Sequence, residues 1–269
     1  MIKILDEYMQ LRNFSPKTKR IYQYYNLKFG EFINKSPREV THKDIRNYLL
    51  YLISKQKSSS TINLVHNALN LYYGTILRKR VKDIPFQKRK QAIKPIASRE
   101  QIVNMINQTK NLKHKLVISL LYSTGLRVSE LIKLKVEHLN FKKKLVFVKG
   151  GKGNKDRFTI VSELLTFQIQ DYLKTRPYQS DFLFASRQGH ITARTVQEIV
   201  KQASRKVNLK LSPHCLRHSF ATHLTDQGTK IEFIGELLGH KDIRTTRQYQ
   251  RLSTNHLEQI ENPYDQLIG

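Results

Sequence analysis

"NFKKKLVFVKGGKGNKDRFTIVS", residues 140–162, is where the sequence stops reading as helix. Leu145–Lys149 and Arg157–Val161 are short runs rich in β-branched and aromatic residues, and the Gly/Asn stretch between them is made of turn formers. That is the pattern of a β-hairpin. On either side, apolar residues return to a spacing of three to four. The stretch therefore predicts one small antiparallel sheet inside a mainly α-helical chain.

Upstream, residues 1 to about 85 read as several amphipathic helices. "SPKTKRIYQYYNLKFGEFI" offers Ser15 as a cap and Pro16 at the first helical position, followed by Ile21, Tyr24, Tyr25, Phe29 and Phe32 at helical spacing. Thr41 can cap a helix whose first turn carries Asp44, and the serines of "SSSTINLVHNALNLYYGTIL" precede a third. Then "KDIPFQKRKQAIKPIASRE" loses periodicity, with Pro85 and Pro95 bracketing a basic run. This predicts a helical domain over 1–84, a basic linker over 85–97 and a second domain over 98–269, which resumes with Ser98 in a near capping arrangement.

The 269 residues hold 48 Lys and Arg against 21 Asp and Glu, a formal charge of +27. The excess is +14 over residues 1–95 and +13 over the rest, so it belongs to both domains rather than to a tail. Such a balance points to an anionic partner, first of all nucleic acid. Lys88, Arg89 and Lys90 in the linker are candidate phosphate contacts, although an isolated basic triplet is more often a solvated loop. "MIKILDEYMQ" lacks the features of a signal peptide, and no apolar run is long enough to span a membrane. A lone cysteine, Cys215, permits neither an internal disulfide nor a multi-Cys metal site, so a cytoplasmic protein is expected.

Four separated stretches carry chemistry-bearing residues. In "TGLRVSEL", Arg127 follows a glycine turn at a helix start, where a guanidinium and free amides can face an anion. In "GGKGNKDR", glycines on both sides of Lys152 let an ammonium at a hairpin tip approach a substrate and donate a proton, though alone the run is ordinary turn chemistry. In "SPHCLRHSFATHL", the Ser-Pro start places His214 and Arg217 one turn apart on one face, with His218 rotated away. Metal binding by His214, His218 and His223 is the rival reading, the first two having the spacing of a helical metal site, but no carboxylate or cysteine cluster accompanies them, and no metal or other cofactor is expected. In "IGELLGHKDIRTTRQYQ", Gly239 can end a helix just before His240, and Tyr249 follows nine residues on. Two histidines, two arginines, a lysine and a tyrosine suggest chemistry on a phosphodiester, with cations neutralising the non-bridging oxygens.

Together "TGLRVSEL", "GKGNKDR", "HCLRHSFATHL" and "LLGH" occur in the order and spacing of the tyrosine recombinases of the phage integrase family, and the chain resembles their Xer branch, especially its archaeal form. The resemblance implies a two-domain C-shaped clamp on double-stranded DNA: a helical, SAM-like core-binding domain and a mostly helical catalytic domain with a small antiparallel sheet. It maps the catalytic set onto Arg127, Lys152, His214, Arg217, His240 and Tyr249. Tyr249 would form a 3′-phosphotyrosine, Arg127 and Arg217 would hold the phosphate, and Lys152 would protonate the leaving 5′-oxygen. His214 would accept the tyrosine proton, and His240 would hydrogen-bond the phosphate.

The covalent link conserves the phosphodiester, so rejoining needs no ATP. Strand exchange between two duplexes implies a homotetramer on two sites, regulated by exchange of a C-terminal segment, about 253–269 here. Chromosome-dimer resolution is the function so implied. Integration of a mobile element, a type IB topoisomerase-like activity and a non-catalytic architectural role are the alternatives. One departure is Tyr249-Gln250-Arg251, where many members have Tyr-Thr-His or Tyr-Thr-Lys. From its polar surroundings, Tyr249 is expected to be presented outward to DNA.

Overall fold

The computed structural model describes residues 1–81, 83–88, 95–150, 156–187, 189–240 and 242–250, the last range without the side chains of residues 248 and 250. The chain divides into two compact units, Met1–Ala92 and Ile93–Gly269.

The first unit contains α1 (Ile2–Leu11), α2 (Pro16–Ile33), α3 (His42–Ser54) and α4 (Ser59–Leu69), which continues into a π-helical segment, Asn70–Ile76. The caps are those the sequence offers. Ser15 Oγ accepts from the Thr18 amide, Thr41 and Asp44 form a reciprocal capping box, and Ser58 accepts from the Thr61 amide. Phe29 anchors the core edge-on to Tyr73 and tilted against Tyr48, while the buried Asn26 donates to the Ala68 carbonyl and ties α2 to α4. A Cβ at Gly74, in the π-helical segment, would stand 2.2 Å from Asn70 Oδ1, so a side chain there would displace that of Asn70. Pro85–Gln87 stays with this unit: Asn63 and Gln87 exchange two hydrogen bonds, and Phe86 stacks on His66.

The second unit runs α5 (Arg99–Asn107), α6 (Leu112–Thr124), α7 (Val128–Leu131), a 3-10 turn at Val136–His138, then β1 (Leu139–Asn140), β2 (Leu145–Val148) and β3 (Arg157–Ile160). It continues with α8 (Glu163–Thr175), β4 (Ala185–Ser186), β5 (Gly189–His190), α9 (Ala193–Lys206), α10 (Pro213–Asp226), α11 (Ile231–Leu238) and α12 (Arg244–Gln250). The hairpin forms as its alternation dictates, β2 and β3 pairing antiparallel with Val146 opposite Thr159, both fully buried. β1 adds a third strand. A second ribbon, β4 with β5, was not expected from the sequence, since two residues per strand are too few to show a period of two.

Two helix ends prepare the site. Gly125 closes α6 and Gly239 closes α11, each in the left-handed region (φ 60° and 63°) that a side chain resists. At Gly125 a Cβ would also lie 2.6 Å from the Phe220 ring. α10 packs against both α6 and α11, so the carbonyls at the two helix ends converge on its side chains.

Candidate active site

Arg217, on α10, is 2% exposed. Its Nη1 donates to the Gly125 carbonyl at 2.5 Å, and its Nη2 donates to the Leu238 carbonyl at 2.6 Å. Both acceptors lie at helix C-termini, where the backbone dipole favours a cation. The same Nη2 lies 3.3 Å from His240 Nε2. Burial first, and then the neighbouring Arg127, pull the guanidinium down to about 9. It is therefore still a cation at neutral pH, held by carbonyls rather than by a carboxylate of its own.

Arg127 caps α7 and is partly exposed. Its Nη1 donates to Glu130 Oε1 at 2.8 Å, and its backbone amide donates to Glu130 Oε2 at 2.8 Å. Arg157, from β3, forks onto the same carboxylate with Nη1 and Nη2 at 2.9 and 2.8 Å, and its Nε donates to the Leu237 carbonyl. Burial alone would raise the Glu130 carboxyl, but hydrogen bonds and charge from Arg157, joined by Arg127, hold it down at about 2. One buried anion thus ties the base of the hairpin, the Arg127 turn and the end of α11 into a single bracket.

His240 lies just past Gly239, with Nδ1 2.8 Å from Thr246 Oγ1. Burial, then Arg217, Arg127 and Arg157, depress its pKa to about 4, so the ring is neutral at physiological pH. Its ring stacks near-parallel to that of Tyr249, with centroids 6.2 Å apart and planes 14° apart. On the other side His218 lies 5.3 Å from the Tyr249 ring, and His218 Nε2 is 3.2 Å from His214 Nε2.

The expectation that α12 presents Tyr249 outward is corrected: the residue is 1% exposed and packs with Phe220, Ala221, Ile231, Ile234 and Leu238. α12 is only seven residues long, and its inward face is formed by Thr246 and Tyr249, three apart. That is too little to register as an apolar stripe. The expectation that His218 points away is corrected as well. It is 3% exposed and stands between His214 and Tyr249, because α12 folds back over α10. His214 itself is exposed.

Arg127, His214, Arg217, His240 and Tyr249 thus fall within one linked set of contacts running through Glu130, Arg157 and His218. Lys152, Arg89, Lys90 and the segment 253–269 lie outside the described residues, and Lys88 is exposed in the first unit. Sequence reading missed Glu130, Arg157 and Thr246, and misplaced His218. The first two had a detectable signal: Glu130 is three residues after Arg127, the capping-box spacing, and Arg157 ends the "GNKDR" stretch. Among the described residues, no group of three or more His, Cys, Asp or Glu side chains is arranged to hold a metal ion. Nor is any helix among them long and apolar enough to cross a membrane.

The sequence matches the Phage integrase family over residues 95–256 and the "Phage integrase, N-terminal SAM-like domain" family over residues 1–83. It is 38% identical to tyrosine recombinase XerA of Pyrococcus horikoshii, over 95% of this chain and 91% of that protein. The crystal structure of XerA recombinase is similar with a TM-score of 0.55 at 30% identity, covering 92% of this chain and 91% of that one. The XerH site-specific recombinase bound to palindromic difH substrate superposes with a TM-score of 0.77 at 20% identity, over 96% and 83% of the two chains, which is a likeness of fold.

Proposed function

The chain belongs to the phage integrase family and is a tyrosine recombinase, a site-specific DNA strand transferase, and we propose that Tyr249 is its nucleophile and Arg127, Lys152, His214, Arg217 and His240 its catalytic partners. The observation that carries this reading is the meeting of Arg217, His240 and Tyr249 at the ends of α6 and α11.

The phenolic oxygen of Tyr249 attacks phosphorus, and the bond from phosphorus to the 5′-oxygen breaks. A phenol is mostly protonated at neutral pH, so its proton must leave. His214, hydrogen-bonded to His218 beside the Tyr249 ring, accepts it. The departing 5′-oxygen takes a proton from Lys152, which makes it a hydroxyl rather than a poor alkoxide leaving group. Arg217 and Arg127 face the charge that grows on the non-bridging oxygens, and His240 adds a hydrogen bond there. Arg217 is held before DNA arrives by Gly125 and Leu238, so little reorganisation is needed in the transition state. The 5′-hydroxyl of a partner strand then attacks the phosphotyrosine, which reverses the chemistry and exchanges strands.

In the cell the reading is Xer-type resolution of chromosome dimers in the cytoplasm, by a tetramer on two double-stranded sites. Lys88, Arg89 and Lys90 contact phosphates there, and the segment 253–269 passes between protomers. Support comes from the XerA relative, similar over nearly the whole length, and from the +27 charge. The test is a nicked duplex carrying the chromosomal site found for this protein. The wild type should accumulate a 3′-phosphotyrosyl complex that maps to Tyr249 by mass spectrometry. Linkage through another residue overturns the assignment, and a site confined to the ends of a mobile element overturns the chromosomal role.

A further inference from the structure

Thr246 has no part in the scheme above, yet it is fully buried on α12, one turn before Tyr249. Its Oγ1 is 2.8 Å from His240 Nδ1 and lies against Gly235, where a Cβ would stand 3.2 Å from it. Across the imidazole, Nε2 faces Nη2 of Arg217 at 3.3 Å. A guanidinium can only donate. Nε2 is therefore the acceptor, the ring proton sits on Nδ1, and that proton is donated to Thr246.

In this arrangement His240 cannot donate from Nε2 to a phosphate oxygen, because that atom carries a lone pair aimed at Arg217. Donation requires the other tautomer, with the proton on Nε2 and Nδ1 as acceptor. A carbonyl or carboxylate beside Nδ1 would hold the first form, and an amide or ammonium would hold the second. A hydroxyl serves both, since it accepts from Nδ1–H and, after rotation, donates to a bare Nδ1.

We propose that Thr246 is a positioning residue that lets His240 change tautomer when a phosphate enters, from Nδ1–H facing the threonine to Nε2–H facing the phosphate, by reversing the direction of one hydrogen bond. The ring loses one proton from Nδ1 to solvent and takes one from solvent at Nε2, so its charge is unchanged. The Tyr249 ring stacks beside it, and the groups that oppose its protonation are Arg217, Arg127, Arg157 and His214. They and burial disfavour the doubly protonated ring, which leaves tautomer exchange as the way to free an Nε2 proton. Because Thr246 and Tyr249 share one face of α12, the reversal happens only while the nucleophile's helix is seated.

The catalytic consequence rests on Tyr249 being the nucleophile, while the tautomer does not, so two readouts are needed. The first is a long-range proton–nitrogen correlation of the full chain labelled with ¹⁵N-histidine, with His240 assigned by its loss in His240→Gln. DNA-free protein should show His240 protonated on Nδ1, and saturating inorganic phosphate should move the proton to Nε2. Thr246→Val, which keeps the shape and removes the hydroxyl, should keep the Nδ1–H form, because Arg217 still donates to Nε2, and respond weakly to phosphate, since nothing then donates to a bare Nδ1, while Thr246→Ser should restore the response. The second readout is covalent complex formation on the nicked site. Thr246→Val should be at least about tenfold slower at unchanged DNA affinity, the size of one missing hydrogen bond, with most of the rate recovered in Thr246→Ser. An Nε2–H tautomer in the DNA-free protein, or a valine variant with wild-type spectra and rate, overturns the proposal. Absence of covalent complex from the wild type with the expected spectra would instead count against the nucleophile assignment alone.

Discussion

Arg217 Nη2 lies 3.3 Å from His240 Nε2, and the same nitrogen donates to the Leu238 carbonyl that ends the helix before His240. The guanidinium therefore holds together the two helix ends and the imidazole of the proposed phosphate site. Lysine cannot reproduce this, having a point charge in place of a planar fork. Arg217→Lys should lower the rate of covalent complex formation by about 10²-fold or more, as for loss of a preorganised donor. It should also reduce stability to urea by about 1–3 kcal/mol through a carbonyl left unpaired. A variant with normal stability but abolished cleavage would confine Arg217 to chemistry.

Burial of Tyr249 lets its packing be tested apart from its proposed chemistry. Tyr249→Phe keeps the ring and should unfold at nearly the wild-type denaturant midpoint, bind DNA normally and form no covalent complex. Tyr249→Ala empties the space between Phe220, Ile234 and Leu238 and should lose about 3 kcal/mol in addition. Equal stability of the two variants in a urea titration would contradict the burial.

The Glu130–Arg157 pair should be strongly coupled. Removing one partner leaves a buried charge without its counter-ion, with a cost of about 3–5 kcal/mol, so Glu130→Gln and Arg157→Met should each destabilise markedly. The double variant should lose less than the sum of the two. Simple additivity in the double-mutant cycle would show that the pair is not a unit. Cleavage should fall in Glu130→Gln as well, since Arg127 loses the carboxylate that orients it.

His240 sets a pH dependence. Its pKa falls from an ordinary 6.5 to about 4 on folding, so between those values the unfolded chain binds the extra proton and stability rises with pH. His66, His114 and His223 are depressed by burial and act in the same sense. The urea midpoint of the wild type should therefore climb from about pH 4 to 6.5 and level off above. His240→Gln should climb less steeply, and an identical slope in the two proteins would remove His240 from the account.

DNA affinity should fall steeply with salt. With +27 formal charges, many of the protein's interactions with DNA will be to phosphates, and the logarithm of affinity should decline linearly with the logarithm of salt concentration. Charge-to-glutamine changes at Lys88, Arg89 and Lys90 should each make that slope shallower, by about one unit for every phosphate left without its cation. A slope unmoved by all three together would exclude the basic run from the interface.

Local signals in the chain were enough for the elements. Ser15, Thr41, Ser58 and Ser98 cap helices, and Gly125 and Gly239 end them, because capping and left-handed turns depend on residues within one turn of each other. The β2–β3 hairpin was legible for the same reason, whereas β4 and β5 were too short to leave a pattern. Motif spacing also marked Arg127, His214, Arg217, His240 and Tyr249.

The company those residues keep was not legible. Nothing local in "RTTRQYQ" says that Tyr249 is buried, that His218 rather than solvent stands beside it, or that Thr246 reaches His240. Nor does a helix-end carbonyl announce that it will accept from an arginine far along the chain, as those of Gly125 and Leu238 accept from Arg217. Sequence by itself determined the helices, the hairpin and the kinds of side chain available, since these follow from short-range periodicity and chemistry. Only the tertiary structure decided which of them share a buried, low-dielectric space, because that depends on how α10 packs against α6, α11 and α12, and it is there that burial and neighbouring charges shift the pKa values of Arg217, Glu130 and His240.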